Sequence, residues 1–150
     1  MSEILDDHPI QFYAENVEIP SFVNENRLQK WLTSLINSHQ KNIGFINFIF
    51  CDDEYLLQIN REYLGHDYYT DIITFPYRQD DLLESDIFIS LDTVLDNAQV
   101  YHIDFQQELL RVIVHGVLHL LGHNDKSPDD ASAMRKAEDE AILMYHSFSR

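Results

Sequence analysis

His115 and His119 lie four residues apart in an apolar segment, and this spacing could bind a metal ion. In an α-helix, residues four apart project from one face with their Cβ atoms about 6 Å apart, so two imidazoles could chelate one divalent ion. Taken alone, the pair has an ordinary alternative, two exposed or hydrogen-bonded histidines. The residues that follow favour the metal.

Asp125 follows His119 by six residues and is a candidate third ligand. Gly122 stands between them and can end the helix and turn the chain back. The pattern HxxxHxxGxxD parallels zinc proteases in which a helix provides two histidines, a glycine ends it, and the next turn brings the third ligand. His123 is the alternative third ligand, although it requires the helix to persist through Gly122. We therefore predict one divalent metal, with zinc as the expected ion, held by His115, His119 and Asp125 or His123.

The residue after His115 is Gly116, where zinc peptidases carry a glutamate as general base. Ordinary peptidase chemistry therefore lacks its proton acceptor. Glu108 projects from the same helical face as the histidines and could support the site or partly replace that base. A metallohydrolase that acts on peptides or small molecules thus remains an alternative function.

The helix that carries the histidines has a marked start and a close successor. Asp104 and Gln107 match a capping box, in which the first residue caps the helix. The apolar residues take the half of this helix opposite the histidines; they are Leu109, Leu110, Ile113, Val114, Val117, Leu118 and Leu121. Ser127 and Pro128 begin a further helix that should run to about Tyr145. A short turn between two helices should therefore hold the third ligand.

The rest of the chain alternates strand and helix patterns. Strands are expected over Ile10–Ile19, Ile43–Phe50, Asp71–Phe75 and Asp86–Leu91. Pro76 should close the third strand, which could pair with the fourth. Helices are expected from Asn24 to Ile36, from Asp52 or Asp53 to Tyr63 before Gly65, and from Asp92 to Tyr101. Without a linker or repeat, residues 1–150 are expected to form one domain.

Composition limits the function classes. The net charge of −16 argues against broad nucleic-acid binding, so any RNA contact must be local. The single cysteine, Cys51, cannot form an internal disulfide and lies in an apolar run, which argues against a catalytic thiol. The first ten residues lack a signal-peptide pattern, and no apolar run is long enough to span a membrane. A cytosolic protein without a membrane partner is expected.

Three motifs together resemble a known family. VHGVLHLLGHND, which ends at Asp125, is similar to the signature HGxLHLxGYDH of the bacterial YbeY rRNA maturation factors. NREYLGHDYYTDIITFPY, over Asn60–Tyr77, resembles the family segment NxxYRxxDxPTDVLSFP, and SDIFIS, over Ser85–Ser90, resembles GDIxIS. The order and spacing also agree, which makes the compound match far more specific than any one motif. The chain departs from the family where Asp125 stands in place of a third histidine.

The resemblance implies an α+β fold with a small mixed β-sheet, helices and a zincin-like metal-binding helix. It also implies a metal-dependent endoribonuclease that cleaves single-stranded RNA in 16S rRNA 3'-end maturation and ribosome assembly, with rRNA precursor and the small ribosomal subunit as partners. A non-enzymatic assembly factor whose metal only stabilises the turn after Gly122 is a further alternative.

The resemblance also suggests roles for three residues outside the metal site. Arg61 matches a position that the family places near its cleft, where a guanidinium suits a phosphodiester oxygen. Its alternative is a surface ion pair with an acid such as Asp53. Thr70 and Asp71 match the family's Thr-Asp pair and are expected to shape the cleft.

Overall fold

The computed structural model of the chain describes residues 7–148. Along the chain its elements are β1 (Ile10–Glu15), α1 (Glu25–Ser38), β2 (Asn42–Cys51), α2 (Asp53–Leu64), β3 (Ile72–Gln79), β4 (Leu82–Ser90), α3 (Leu91–Tyr101), α4 (Phe105–Leu120) and α5 (Pro128–Ser147). Residues 1–6, part of the segment expected to lack a signal peptide, lie outside the described range. Within that range no helix has the length and apolarity needed to cross a membrane.

The four strands form one mixed sheet in the order β1-β2-β4-β3, which confirms the α+β class and the mixed sheet. β1 and β4 both run parallel to β2, whereas β3 is antiparallel to β4. Successive residues of a strand point to opposite faces of a sheet. Ile87 and Ile89 therefore join α1, α4 and α5 in the main core. Ile73 and Phe88 pack on the other face, against α2.

Three predicted strand bounds were wrong. β4 begins at Leu82, four residues before the predicted start at Asp86. β1 stops at Glu15 and does not reach Ile19. β3 continues through Pro76 to Gln79, with a shift of pairing register after the proline. Proline has no N–H to donate to a ladder, but an edge strand such as β3 tolerates it. The predicted pairing of the third and fourth strands is confirmed.

α4 lies close to the sheet because of one glycine. A Cβ atom added at Gly116 would lie 2.9 Å from Ile72 Cδ1 and 3.4 Å from Ile87. A larger residue at this position would require the side chain of Ile72 to shift. At its start, the Asp104 side chain accepts a hydrogen bond of 2.8 Å from the backbone N–H of Gln107, as predicted for the cap. Both features set where the histidines of α4 stand.

Candidate metal centre

Three predicted ligand atoms converge at the end of α4. The Nε2 atoms of His115 and His119 are 3.0 Å apart. Asp125 Oδ2 lies 3.4 Å from Nε2 of His115 and 3.5 Å from Nε2 of His119. Ligands held about 2.0–2.1 Å from a tetrahedral zinc ion are separated from one another by about 3.3–3.4 Å. The two distances to Asp125 match this spacing and the distance between the histidines is about 0.3 Å shorter, and the three atoms form a candidate metal group among residues 7–148.

The outer nitrogen of each imidazole is already bonded. His119 Nδ1 lies 2.9 Å from the backbone carbonyl oxygen of His123, and His115 Nδ1 lies 2.6 Å from Glu138 Oε2. Both oxygens can only accept, so both Nδ1 atoms carry the proton. In the neutral rings, the Nε2 lone pairs then face each other across a short gap. Such an arrangement requires a cation or a proton between them, and the donor set thus fits a metal.

A proton can take that place when no metal is bound. Burial by itself lowers the pKa of His115, but the hydrogen bond to Glu138 and the charges of Glu138, Asp125 and Asp71 outweigh it. The pKa of His115 is consequently raised above its ordinary value. A metal ion and a proton therefore compete for the same Nε2 atom.

The turn after α4 explains how Asp125 reaches the histidines. Gly122 adopts a φ of 103°, which is left-handed backbone that favours glycine. The N–H of His123 donates to the carbonyl oxygen of Leu118 over 3.0 Å and closes the helix end. Ser127 then caps α5 by accepting from the N–H of Asp130 over 3.0 Å. These hydrogen bonds fix the turn at its start and at its end, and the turn brings Asp125 back toward α4.

The His123 side chain lies elsewhere. Its ring centroid is 6.2 Å from that of His39, near the end of α1. The contact of His123 with the metal group is made by its backbone oxygen, which orients His119. The geometry thus favours Asp125 over His123 as the third ligand, because only the Asp125 side chain joins the pair among the described residues.

A cavity of about 330 Å³ adjoins His119. Thr74, Gln79 and Asn124 are among its lining residues, and none of the described residues that line it is acidic. Gln79 also donates to the carbonyl oxygen of His119 over 2.9 Å, which ties the end of β3 to the end of α4. In a chain of net charge −16, this cavity offers an anionic ligand an approach without a facing carboxylate.

A buried acid behind His115 escaped the sequence analysis. Glu138 on α5 is 5% exposed, and its Oε1 accepts from Arg111 Nη1 over 2.8 Å. Burial raises the pKa of Glu138, but the bonds to His115 and Arg111 outweigh this effect and hold it below its ordinary value. The available signal was periodicity, since Glu138 shares the buried stripe of α5 with Met134, Ala141 and Tyr145. An acid in such a stripe usually has a buried partner.

Glu108, the acid expected to support the site, has a different environment. It is also 5% exposed, yet its Oε1 has no hydrogen-bond partner among the described residues. Burial raises the pKa of this carboxyl. The carboxylate that bonds a histidine of the site is therefore Glu138 and not Glu108.

Thr70 and Asp71 precede β3 close to the metal group. The carbonyl oxygen of Asp71 accepts from the N–H of Ser90 over 2.9 Å, which joins the start of β3 to the end of β4. Burial raises the pKa of Asp71, and the charge of His115 acts against this rise. The hydroxyl of Thr70 lies 3.5 Å from the carbonyl oxygen of Ile72. Neither residue lines the cavity beside His119, and their role in shaping the cleft stays a prediction.

Arg61 does not join the metal group in the described part of the chain. It lies on α2, which packs on the opposite face of the sheet from α4. Its guanidinium bonds Asp67, and its side chain is 56% exposed. The family segment places its arginine directly after the tyrosine, and here Leu64 follows Tyr63. The match of Arg61 to that arginine is therefore three residues out of register.

Comparison with known proteins agrees with the motifs. The family model described as Endoribonuclease YbeY matches residues 10–146. A Flavobacterium johnsoniae protein named Endoribonuclease YbeY is 51% identical over 126 residues, which cover 84% of this chain and 91% of that protein. A protein of the same name from Parabacteroides distasonis is 44% identical over 135 residues, covering 90% of this chain and 94% of the relative.

A solved structure also resembles this fold. The solution structure of TM1509 from Thermotoga maritima superimposes with a TM-score of 0.66 at 26% sequence identity. The match covers 92% of this chain and 92% of that one. The similarity thus extends over nearly all of both chains and is not confined to the metal-binding helix.

Proposed function

This chain belongs to the YbeY endoribonuclease family, and we propose that it is a metal-dependent endoribonuclease that cleaves single-stranded RNA. The observation that carries the proposal is the convergence of three ligand atoms, from His115, His119 and Asp125, beside a cavity without acidic lining. A phosphodiester could reach the centre through this cavity, whereas acidic residues elsewhere on the chain would repel it.

We propose zinc as the resident ion, because two imidazole nitrogens and one carboxylate oxygen at tetrahedral spacing suit it. When bound, zinc supplies Lewis-acid chemistry that stabilises negative charge on oxygen. The protein's part is to hold two Nε2 lone pairs and one carboxylate oxygen toward a common point. Gln79 and Asn124 line the adjoining cavity, where their amides could donate hydrogen bonds to an RNA strand.

Peptide hydrolysis is less well supported. The position that carries the general base in zinc peptidases is Gly116, which packs against Ile72 and Ile87 of the sheet. A glutamate there would require the side chain of Ile72 to shift. Glu108 does not replace it, because this carboxylate is buried.

The biological setting of the proposal follows from family membership. We propose that the substrate is rRNA precursor, that cleavage serves 16S rRNA 3'-end maturation, and that the small ribosomal subunit is the partner. This role would place the protein in the cytosol, with residues 1–150 acting as one domain. Thr70 and Asp71 would shape the cleft wall. Arg61 would contact the RNA backbone only after its guanidinium leaves Asp67 and bonds a phosphate oxygen instead.

The direct test is RNA cleavage by the full chain with and without zinc. We expect a labelled single-stranded RNA to be cut by the zinc-loaded protein, spared after chelation, and cut again when zinc is restored. A duplex RNA of the same sequence and a labelled peptide serve as controls. Release of peptide products would support the peptidase alternative. RNA left intact by a zinc-loaded protein that unfolds on chelation would favour the non-enzymatic assembly factor.

A further inference from the structure

Glu138 bonds two different groups with its two oxygens. Oε2 lies 2.6 Å from His115 Nδ1, and Oε1 accepts from Arg111 Nη1 over 2.8 Å. The carboxylate is 5% exposed, so water cannot readily replace either partner. Charge-assisted hydrogen bonds of this length are among the strongest in proteins. Because rotation of the Glu138 side chain would break both contacts, the carboxylate is held in one orientation.

Arg111 is held in turn by two acids of α5. Its Nη1 donates to Glu138, and its Nη2 donates to Asp139 Oδ1 over 2.8 Å. Arg111 precedes His115 by four residues on α4, so both side chains lie on one helical face. Both side chains bond the carboxylate of Glu138 on α5. The pairing fixes α5 against the part of α4 that carries the first metal ligand.

The two histidines differ in how their outer nitrogens are held. His119 Nδ1 is bonded by the backbone carbonyl of His123, which does not depend on any side chain. His115 Nδ1 is bonded by the side chain of Glu138. Without that carboxylate, the proton of neutral His115 could move to Nε2, and the ring could turn away. Either change removes a lone pair from the centre.

We propose that Glu138 is a positioning residue of the metal centre, which keeps the proton of His115 on Nδ1 and aims Nε2 at the metal. Arg111 keeps Glu138 in place and balances its charge. The inference rests on the proposed metal centre and adds a side chain outside the ligand set. It assigns no contact of Glu138 with RNA.

The test compares Glu138→Ala, Glu138→Gln and Asp139→Asn in the full chain, with zinc affinity measured by competition with a chromophoric chelator. Glu138→Ala should raise the zinc Kd by about 10–100-fold, as loss of a partner of a metal-bound histidine does elsewhere. Glu138→Gln keeps an acceptor oxygen and should recover part of this loss. Asp139→Asn is the matched control, because Asp139 bonds Arg111 without touching His115. Its zinc Kd should stay within about twofold of the wild type.

A second measurement reports the tautomer directly. Nitrogen NMR of the imidazoles in the zinc-free full chain, at a pH above the raised pKa of His115 where the ring is neutral, should show His115 protonated on Nδ1 in the wild type and on Nε2 in part of the molecules with Glu138→Ala. A folded Glu138→Ala protein with wild-type zinc affinity and an unchanged tautomer would overturn the proposal. So would an equal loss of affinity in Asp139→Asn. Absence of zinc binding in the wild type would instead overturn the metal centre on which the proposed function stands.

Discussion

The ends of α2 and α4 share a local sequence but carry different chemistry. Residues 64–67 read Leu-Gly-His-Asp, and residues 121–125 read Leu-Gly-His-Asn-Asp. Both glycines have a positive φ, 68° at Gly65 and 103° at Gly122. In both places an aspartate follows a residue of the last helical turns by six positions, as Asp67 follows Arg61 and Asp125 follows His119.

The difference lies in what the returning carboxylate meets. Asp67 meets the guanidinium of Arg61 and forms an exposed ion pair. Asp125 meets two imidazoles whose Nε2 atoms point at one place. The glycine turn determines the return of the aspartate, whereas the residues of the preceding helix determine whether an ion pair or a metal group results.

The largest effect is expected from removing a histidine of α4. His119→Ala should abolish zinc binding and reduce RNA cleavage to the level of the chelated protein, because it leaves one imidazole and one carboxylate, and imidazole is the ligand that suits zinc better. Zinc content of the purified protein and a cleavage assay measure this. His66→Ala is the matched control in the other turn, where the ring stacks on Tyr68, and it should keep full zinc content. One tightly bound zinc ion in His119→Ala would contradict the assignment of His119 as a metal ligand.

The two aspartates provide the next comparison. Asp125→Ala should raise the zinc Kd by at least about 100-fold, more than the loss of a group that only supports a ligand. Asp67→Ala should leave the zinc Kd unchanged. Chelator competition measures both. If Asp125→Ala keeps its zinc while His123→Ala loses it, the third ligand is His123 and the assignment of Asp125 is wrong.

Replacing Asp125 by the histidine that the family carries at this position tests the effect of the ligand's charge. Asp125→His should favour zinc over harder ions, because imidazole is a softer ligand than carboxylate. The site would gain one unit of net positive charge, so water in the loaded enzyme should be more acidic. The rising limb of the pH–rate profile should therefore move to lower pH. A shift to higher pH would contradict an anionic ligand in the wild type.

Zinc affinity should depend on pH through His115. Its pKa lies above the ordinary histidine value of about 6.5, so the ring of the metal-free protein holds its proton to a higher pH. As the pH falls through this raised pKa, zinc affinity should fall by about tenfold per unit from this group alone. In the metal-free protein, the stability gained from protonated His115 beside Glu138 is present below the unfolded pKa and is lost as the pH rises through the folded pKa. Calorimetric zinc titrations at several pH values test the first statement, and an affinity independent of pH would contradict it.

The smallest effect is expected at Arg61. Arg61→Ala should leave folding and zinc content unchanged and lower kcat/KM for RNA by about fivefold, equivalent to about 1 kcal/mol, because an exposed charge contact is worth little. Asp67→Asn, which frees the guanidinium, should not lower cleavage. A loss of 100-fold or more in Arg61→Ala would mean that this side of the sheet takes part in the chemistry after all.

The local features of the site follow from the sequence alone. The spacing of His115 and His119, the caps at Asp104 and Ser127, and the turn at Gly122 depend on hydrogen bonds within a few residues. The structure has both caps and the turn where the sequence predicts them. Most strands and helices were likewise predicted, because hydrophobic periodicity is also a local property.

Contacts between residues far apart in the chain arise from the packing of the helices and the sheet. Glu138 lies 23 residues after His115 and reaches it because α5 packs against α4. Pro76 stays within β3 because that strand is at the sheet edge. Arg61 is separated from the metal group because α2 and α4 cover opposite faces of the sheet. No local pattern encodes these contacts, since they depend on how the elements bury their apolar faces together.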